Sequence, residues 1–426
     1  MSREVPEGWV PTTLGELTQI SGGTTPSKEV GEFWEGGHHF WATPTDITAL
    51  PHGKVELSST KAMVSDAALH KTSLKMLPVG SVLMTSRATI GYPAINTVPM
   101  ATNQGFANFH PSAKYDAAFL AYWIVFSRKI LKRSAGGSTF PEISKSALKS
   151  IPINLPPVHE QRRIAEILSS IDEAIAATRL AIEQTRRVKQ SVLERLLTKG
   201  IGHTRFKRTE IGEIPEGWGI CALAEAATIK HGYPFIGEFF SKEEGPNILL
   251  TPGNFSKEKT LYFGPNTKFY QGPIPSDFIL KNGDLLVVMT DLTPSMEILG
   301  NAVILSSNKT VLHNQRIGKV EVDRNMLSAA FVKHVLNSER VQRQIKNSAS
   351  GTTVRHTSPS RILENITVLP PMEEQLSIVE ALRNIDDGLE LQNQNLARIS
   401  SVKSALMSDL LTGRKRVSDA LPLAAE

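Results

Sequence analysis

The sequence predicts an α+β fold in which two globular α/β domains are separated by two long antiparallel helices forming a coiled coil, all arranged about a pseudo-twofold. Three observations carry this. Residues 156–161 read Pro-Pro-Val-His-Glu-Gln and residues 370–375 read Pro-Pro-Met-Glu-Glu-Gln, an offset of 370 − 156 = 214 that then holds without a gap. Both copies continue with the apolar spacing of a long amphipathic helix. A second repeat, Val5-Pro-Glu-Gly-Trp9 and Ile214-Pro-Glu-Gly-Trp218, opens each stretch of mixed composition that precedes a helix.

The helices come first because the rest is hung on them. Proline suits the first turn of a helix, where its missing N–H costs nothing, and Glu160 and Glu374 put negative charge at the positive end of the dipole. Gly200 and Gly413 mark the other ends as left-handed caps. Between these limits the apolar positions alternate by four and three, through Ile164, Leu168, Ile171, Ile175, Ile182 and Leu196 in the first copy. Under the offset they fall on Ile378, Leu382, Ile385, Leu389, Leu396 and Leu410. That is a heptad seam. About forty residues at ~1.5 Å each make a rod of roughly 60 Å, too long to bury alone, so each rod needs a partner. Thr178 and Gln392 make the seam polar at one level, and Lys189 and Lys403 are expected to snorkel from it to water. A compact domain between the rods brings the end of one to the start of the other, so they run antiparallel.

In chain order the expected divisions are a globular domain over 1–150, a rod region over 151–200, a basic linker over 201–217, a second domain over 218–364, a second rod region over 365–413 and a tail over 414–426. The first domain reads as short strands and few long helices. Gly36-Gly37 is a turn before an aromatic strand at Phe40-Trp41, and Pro78 to Thr85 is a turn running into a strand. Tyr115 to Arg133 has helical periodicity, with Phe119, Tyr122, Trp123 and Phe126 inward and basic residues at its end. The second domain repeats the first in outline: Thr43-Pro-Thr-Asp-Ile47 meets Thr251-Pro-Gly-Asn-Phe255, and Asn103-Gln104 meets Asn314-Gln315. Between such anchors the halves diverge, as two related sites reading different things would.

Composition sets bounds on function. The chain has 426 residues, 40% hydrophobic, and a formal charge of +5, enough apolar content for real cores and compatible with an anionic partner. Its one cysteine, Cys221, excludes an intramolecular disulfide and a thiolate metal cage, and with no long apolar span the cytoplasm is the expected location and no membrane the expected partner. Catalytic motifs fail one by one. There is no phosphate-cradling Gly-rich loop; Asn154-Leu-Pro-Pro157 has the wrong order for an amino-methyltransferase loop; His159-Glu160 lacks the second histidine of a zinc helix. His38-His39 lacks metal-ligand spacing, so neither a catalytic residue nor a metal ligand is assigned.

A nucleic-acid-binding pattern does better. Phosphates need Lys, Arg, hydroxyls and free N–H groups, while base edges need Arg, Lys, Asn and Gln presented from loops. Such residues cluster at Thr85, Ser86, Arg87, Asn103 and Gln104 in the first half, and at Thr290, Asp291, Asn314, Gln315 and Arg316 in the second. Ser138, Thr139 and Lys145, with Thr352, Thr353 and Arg355, form a second candidate set. The plain alternative for each is structural: Asn-Gln at a turn caps backbone, and Gly-Ser-Thr makes a tight connection.

These residues carry a resemblance. Leu155-Pro-Pro-x-x-Glu-Gln161 and Leu369-Pro-Pro-x-x-Glu-Gln375 opening long helices, with Pro-Glu-Gly-Trp before each globular half, resemble the specificity subunits of type I restriction-modification enzymes over nearly the whole chain. The resemblance implies two target recognition domains joined by conserved spacer helices. It implies a subunit without catalysis that reads a bipartite, asymmetric double-stranded DNA site with an ignored spacer, and that docks two modification (methyltransferase) subunits and the restriction subunits. S-adenosylmethionine, ATP and Mg would belong to those partners, and no cofactor to this chain. Thr85-Ser-Arg-Ala-Thr-Ile-Gly91 is similar to a family loop, whereas Thr290-Asp-Leu-Thr-Pro294 departs from it. Rival functions are a protein scaffold with a coiled-coil spacer, which would bind DNA without a salt-dependent slope or not at all, and a methyltransferase or nuclease with an unfamiliar motif, the former of which would bind S-adenosylmethionine.

Overall fold

The computed structural model describes residues 5–136 and 141–417. It divides into two compact units, one of residues 1–181 with 392–426 and one of residues 182–391. The two repeats predicted to be rods are continuous helices, Val158–Lys199 and Met372–Leu410, of 42 and 39 residues.

In the first unit, Val10–Thr13 pairs antiparallel with Pro152–Leu155, closing the globular part just where the first rod begins. A five-stranded sheet runs in the order Ile20–Gly22, Phe106–Phe109, Val82–Thr85, Pro93–Asn96, Glu56–Leu57. A three-stranded sheet places His39–Ala42 between Ala62–Val64 and Ala101–Thr102. The predicted strand at Phe40-Trp41 and the strand ending at Thr85 are therefore present. The helical stretch over 115–133 is two helices, Ala117–Phe126 and Arg128–Arg133, broken at Ser127. Phe119, Tyr122 and Trp123 are buried as expected; Phe126, beside the break, is only half-buried.

The second unit repeats the closure with Gly219–Ala222 against Ile366–Leu369. Its sheets are a four-stranded one, in the order Ala227–His231, Ile317–Val322, Leu285–Val288, Ala302–Ile304, and a five-stranded one built around Asn247–Leu250 and Thr310–His313. The stretch expected as a linker is a hairpin, Phe206–Thr209 with Gly212–Pro215, turning through Glu210 and Ile211 into Gly212 at φ +108°.

Within each unit one rod segment packs against the other in antiparallel sense. In the first unit Asp172 meets Lys403 and Glu160 meets Arg416; in the second Lys189 meets Asp386 and Glu374 meets His203. Ile164 and Leu168 join Met407, Leu410 and Leu411 in the core of the first unit; Leu193 and Leu197 join Ile378 and Leu382 in that of the second. Ile175, Ile182 and Leu389 are also buried, whereas Ile171, Leu196, Ile385 and Leu396 are half-buried. A straight helix turns ~20° per heptad away from a strict 3.5-residue repeat, and near the end of the first rod Leu193 and Leu197 are buried in the globular core while the seam residue Leu196 packs against it half-buried. The lysines do not snorkel. Lys403 Nζ lies 2.6 Å from Asp172 Oδ1, and Lys189 pairs with Asp386, because each aspartate sits one residue past the seam and faces the opposite rod.

Candidate nucleic-acid interface

The two repeated motifs turn out to be one clasp. The carboxylate of Glu160 accepts the Trp9 indole N–H at 3.3 Å, and that of Glu374 accepts the Trp218 indole N–H at 2.8 Å. Each tryptophan is buried. The next residue carries the second half of the device. Gln161 accepts from the N–H of Asp116 at 2.8 Å and donates to the carbonyls of Lys114 and Pro156; Gln375 accepts from Ser328 N–H at 2.9 Å and donates to Met326 and Pro370. Asp116 and Ser328 are the N-caps of Ala117–Phe126 and Ala329–Leu336, so each glutamine fixes the start of a rod to the start of a buried helix of its globular domain. Buried polar atoms satisfied in this way leave one geometry open to the domain.

The C-terminal end of a rod completes each clasp. Gly413 has φ +68° and an added Cβ would lie 2.3 Å from the Pro6 ring; Gly200 has φ +61° and would clash with Trp218 at 2.6 Å. A basic side chain then closes on the glutamate: the Arg416 guanidinium on Glu160, bidentate at 2.8 Å, and the His203 ring on Glu374, also at 2.8 Å.

On this frame each unit presents a loop that the structure holds rigidly. In the first, Thr85 Oγ1 donates to the carbonyl of Thr89 and accepts from Tyr92 N–H at 3.0 Å, while Gly91 N–H donates to the Thr85 carbonyl. Arg128 donates to the Gly91 carbonyl at 3.1 Å and stacks 3.9 Å over the Tyr92 ring. Thr85 and Ser86 are thus buried and organise the loop, while Arg87, Ala88 and Thr89 stand out of it. Asn103 Oδ1 accepts from Gly105 N–H at 2.9 Å, the backbone-capping role open to it in sequence, and its neighbour Gln104 is exposed, held by the Thr25 hydroxyl. Arg87, Asn103 and Gln104 line one open groove of about 350 Å³ with Pro44, Thr45, Thr48, Ala88, Thr89 and Gly105. Pro44 to Thr48, which the sequence marks as a repeat anchor but not as a site, enter the groove through a capping box, Asp46 accepting from both Thr43 N–H and Thr43 Oγ1.

The second unit has the same frame and a different loop. Asn314 Oδ1 accepts from Arg316 N–H at 3.1 Å and leaves Gln315 and Arg316 exposed, as Asn103 does for Gln104. Val288 exchanges backbone hydrogen bonds with Gly300 and Asn301 as Thr85 does with Gly91 and Tyr92. Thr85 therefore corresponds to Val288 and not to Thr290, which the sequence anchors had aligned. The loop between is six residues longer, 288 to 300 against 85 to 91, and Asp291 fills it. Its carboxylate accepts from the N–H groups of Thr293 and Ile298, each at 2.8 Å. Thr290 and Asp291 are buried, Thr290 bonding His356 Nδ1 at 3.1 Å.

The two candidate sets meet in the second unit, while in the first Arg87 meets Glu142, a residue of neither set. Arg87 bridges Glu142 in backbone pairing and by an ion pair at 2.8 Å, and Thr290–Asp291 pairs with Arg355–His356. Lys145, Thr352 and Thr353 are exposed nearby in sequence, and Arg355 is half-buried; Ser138 and Thr139 lie outside the described residues. None of the described helices is long and apolar enough to cross a membrane.

Comparison with known proteins agrees with this geometry. Residues 6–185 match the family described as type I restriction modification DNA specificity domain. The type I restriction enzyme MjaVIII specificity subunit of Methanocaldococcus jannaschii is 26% identical over 422 residues, covering 97% of this chain and 95% of the relative. The EcoR124I/EcoR124II specificity subunit of Escherichia coli is 31% identical over 166 residues, covering 38% of this chain and 40% of the relative. Among solved structures, a chain from the assembly of a type I R-M system aligns with a TM-score of 0.63 at 18% identity, covering 97% of this chain and 100% of that one. The S subunit from M. genitalium aligns at 0.53 with 14% identity, over 96% and 97% of the two chains. With its duplicated clasp and its paired long helices, the chain carries the type I restriction modification DNA specificity domain over residues 6–185 and is similar along almost its full length to specificity subunits of type I restriction enzymes.

Proposed function

We propose that this chain reads a bipartite, asymmetric double-stranded DNA site, one half per unit, without catalysis of its own. One observation carries the reading: each unit presents an Asn-capped loop bearing exposed Gln or Arg side chains, held to the rods by the same Trp–Glu–Gln clasp, while the adjoining loop differs in length between units. A duplicated frame with divergent loops is what two half-sites of different sequence require. Base reading then falls to Arg87 and Gln104 in one unit and to Gln315 and Arg316 in the other, with Lys145, Thr352 and Thr353 as phosphate contacts. Asn103, Asn314, Thr85, Ser86, Thr290 and Asp291 hold the loops in place. The outer faces of the rods dock two modification subunits, and restriction subunits join them; S-adenosylmethionine, ATP and Mg are bound by those partners in the cytoplasm.

Equilibrium binding of the full chain with its modification subunits to target DNA, across salt concentrations, tests this. Phosphate neutralisation predicts a linear fall of log K with log salt. A flat response, or S-adenosylmethionine binding by the chain alone, would count against the proposal.

A further inference from the structure

We propose that His38, His39 and Asp66 of the first unit form a binding site for a zinc-class divalent cation. Among the described residues they form the one cluster of three metal-ligating side chains, all with donor atoms within 4.8 Å of one another. In sequence the histidine pair has no third ligand. The fold supplies it: Gly36, at φ +64°, and Gly37, whose Cβ would meet the Met63 backbone at 2.9 Å, bring the chain tightly round so that His38 N–H donates to the Val64 carbonyl. That turn starts the His39–Ala42 strand beside Ala62–Val64, and two residues later Asp66 opens the helix Asp66–Lys71.

The donor geometry suits an ion. His39 Nε2 lies 2.7 Å and His38 Nε2 3.6 Å from the same oxygen, Asp66 Oδ1. Ligands about 2.0–2.1 Å from a tetrahedral ion sit ~3.3 Å from one another, so the two distances bracket what a shared cation needs. His38 Nδ1 is 3.4 Å from the Gly36 carbonyl, and donating there turns the Nε2 lone pair towards the carboxylate. Two acceptors facing each other call for a proton or a metal between them. Two imidazoles and one carboxylate select borderline ions such as Zn²⁺ or Co²⁺ over Mg²⁺ or Ca²⁺, which prefer oxygen.

The site would pin a small satellite core. Phe33, Trp41, Val64, Ala68 and Leu74 pack between these same elements, separately from the main core of the unit. From His39 the strand leads on to Thr43 and to Pro44 and Thr45 in the groove with Arg87. A cation here would steady one wall of the reading surface without touching DNA.

Co²⁺, and then Zn²⁺ in competition, titrated into the full metal-stripped chain with no histidine tag, tests the site. One equivalent should bind, give ligand-field absorption of a low-coordinate site and be displaced by Zn²⁺. His39→Ala and Asp66→Asn should each weaken binding at least tenfold, and His159→Ala, a change at an exposed histidine elsewhere, should leave it unchanged. His38→Gln alters a side chain that is 59% exposed, so it keeps the test valid should the other variants fail to fold. Absence of saturable binding to the native chain, or full binding by His38→Gln and Asp66→Asn, would overturn the proposal.

Discussion

Asp172 and Lys403, 231 residues apart, form an ion pair at 2.6 Å that is 5% and 17% exposed, and the Tyr122 hydroxyl donates to the other aspartate oxygen at 3.0 Å. Under the repeat offset Asp172 becomes Asp386 and Lys189 becomes Lys403, so the second unit holds the same pair with the rods exchanged. In each unit the charge pair fixes which level of one rod meets which level of the other, and in the first unit it also ties the rods to the helix bearing Tyr122.

Lys403→Met should therefore destabilise the first unit. Removing one partner of a buried pair leaves the other charge unpaired, at a cost of about 3–5 kcal/mol, towards the lower end here because Lys403 reaches some solvent. The double variant Asp172→Leu/Lys403→Met should recover most of that loss in denaturant unfolding. A single variant as stable as the native chain would show that the pair does not set the register.

Acid should loosen the clasp of the second unit. Burial works to raise the Glu374 pKa, but hydrogen bonds from Ile201 N–H, Trp218 and His203 outweigh it and hold the pKa below its ordinary 4.5. A depressed carboxyl pKa contributes stability that is present above 4.5 and is lost as pH falls through the lower folded value. Glu374→Gln should flatten the acid limb of the stability curve below 4.5 while lowering stability at neutral pH. An unchanged acid limb would remove Glu374 from the account.

Reading and framing residues should separate in DNA binding. Arg87→Ala and Gln104→Ala should relax specificity at one half-site by about 1–3 kcal/mol per lost base contact, leaving the other half-site as it was. Thr85→Val removes the hydroxyl that ties Thr89 and Tyr92 into the loop and should lower thermal stability without changing the salt slope. Equal losses at both half-sites from Arg87→Ala would contradict independent reading by the two units.

Much of this was legible in the sequence because it was written twice. The rods, their heptad seam and the Pro-Glu-Gly-Trp repeats stand out as periodic or duplicated strings. What links them does not: Glu160 and Trp9 are 151 residues apart, and nothing local says that one accepts a hydrogen bond from the other. The spacing alone sends Lys189 and Lys403 to water, because their partners lie off the seam on the opposite rod. In the candidate site Arg87, Gln104, Gln315 and Arg316 are exposed, whereas Thr85, Ser86, Thr290 and Asp291 are buried. Polar type alone cannot separate a residue that shapes a loop from one that the loop presents. The six-residue difference between the loops also hid that Thr85 matches Val288.

The central claim is that two units read two half-sites, and mapping methylated adenines across the genome of a cell expressing this chain with its modification subunits tests it most directly. The expected motif has two defined halves separated by a fixed run of ignored bases, with a methylated adenine in each half on opposite strands. Exchanging residues 1–150 for those of a relative should rewrite one half and preserve the other. A single contiguous motif, or simultaneous change of both halves on that exchange, would contradict the account.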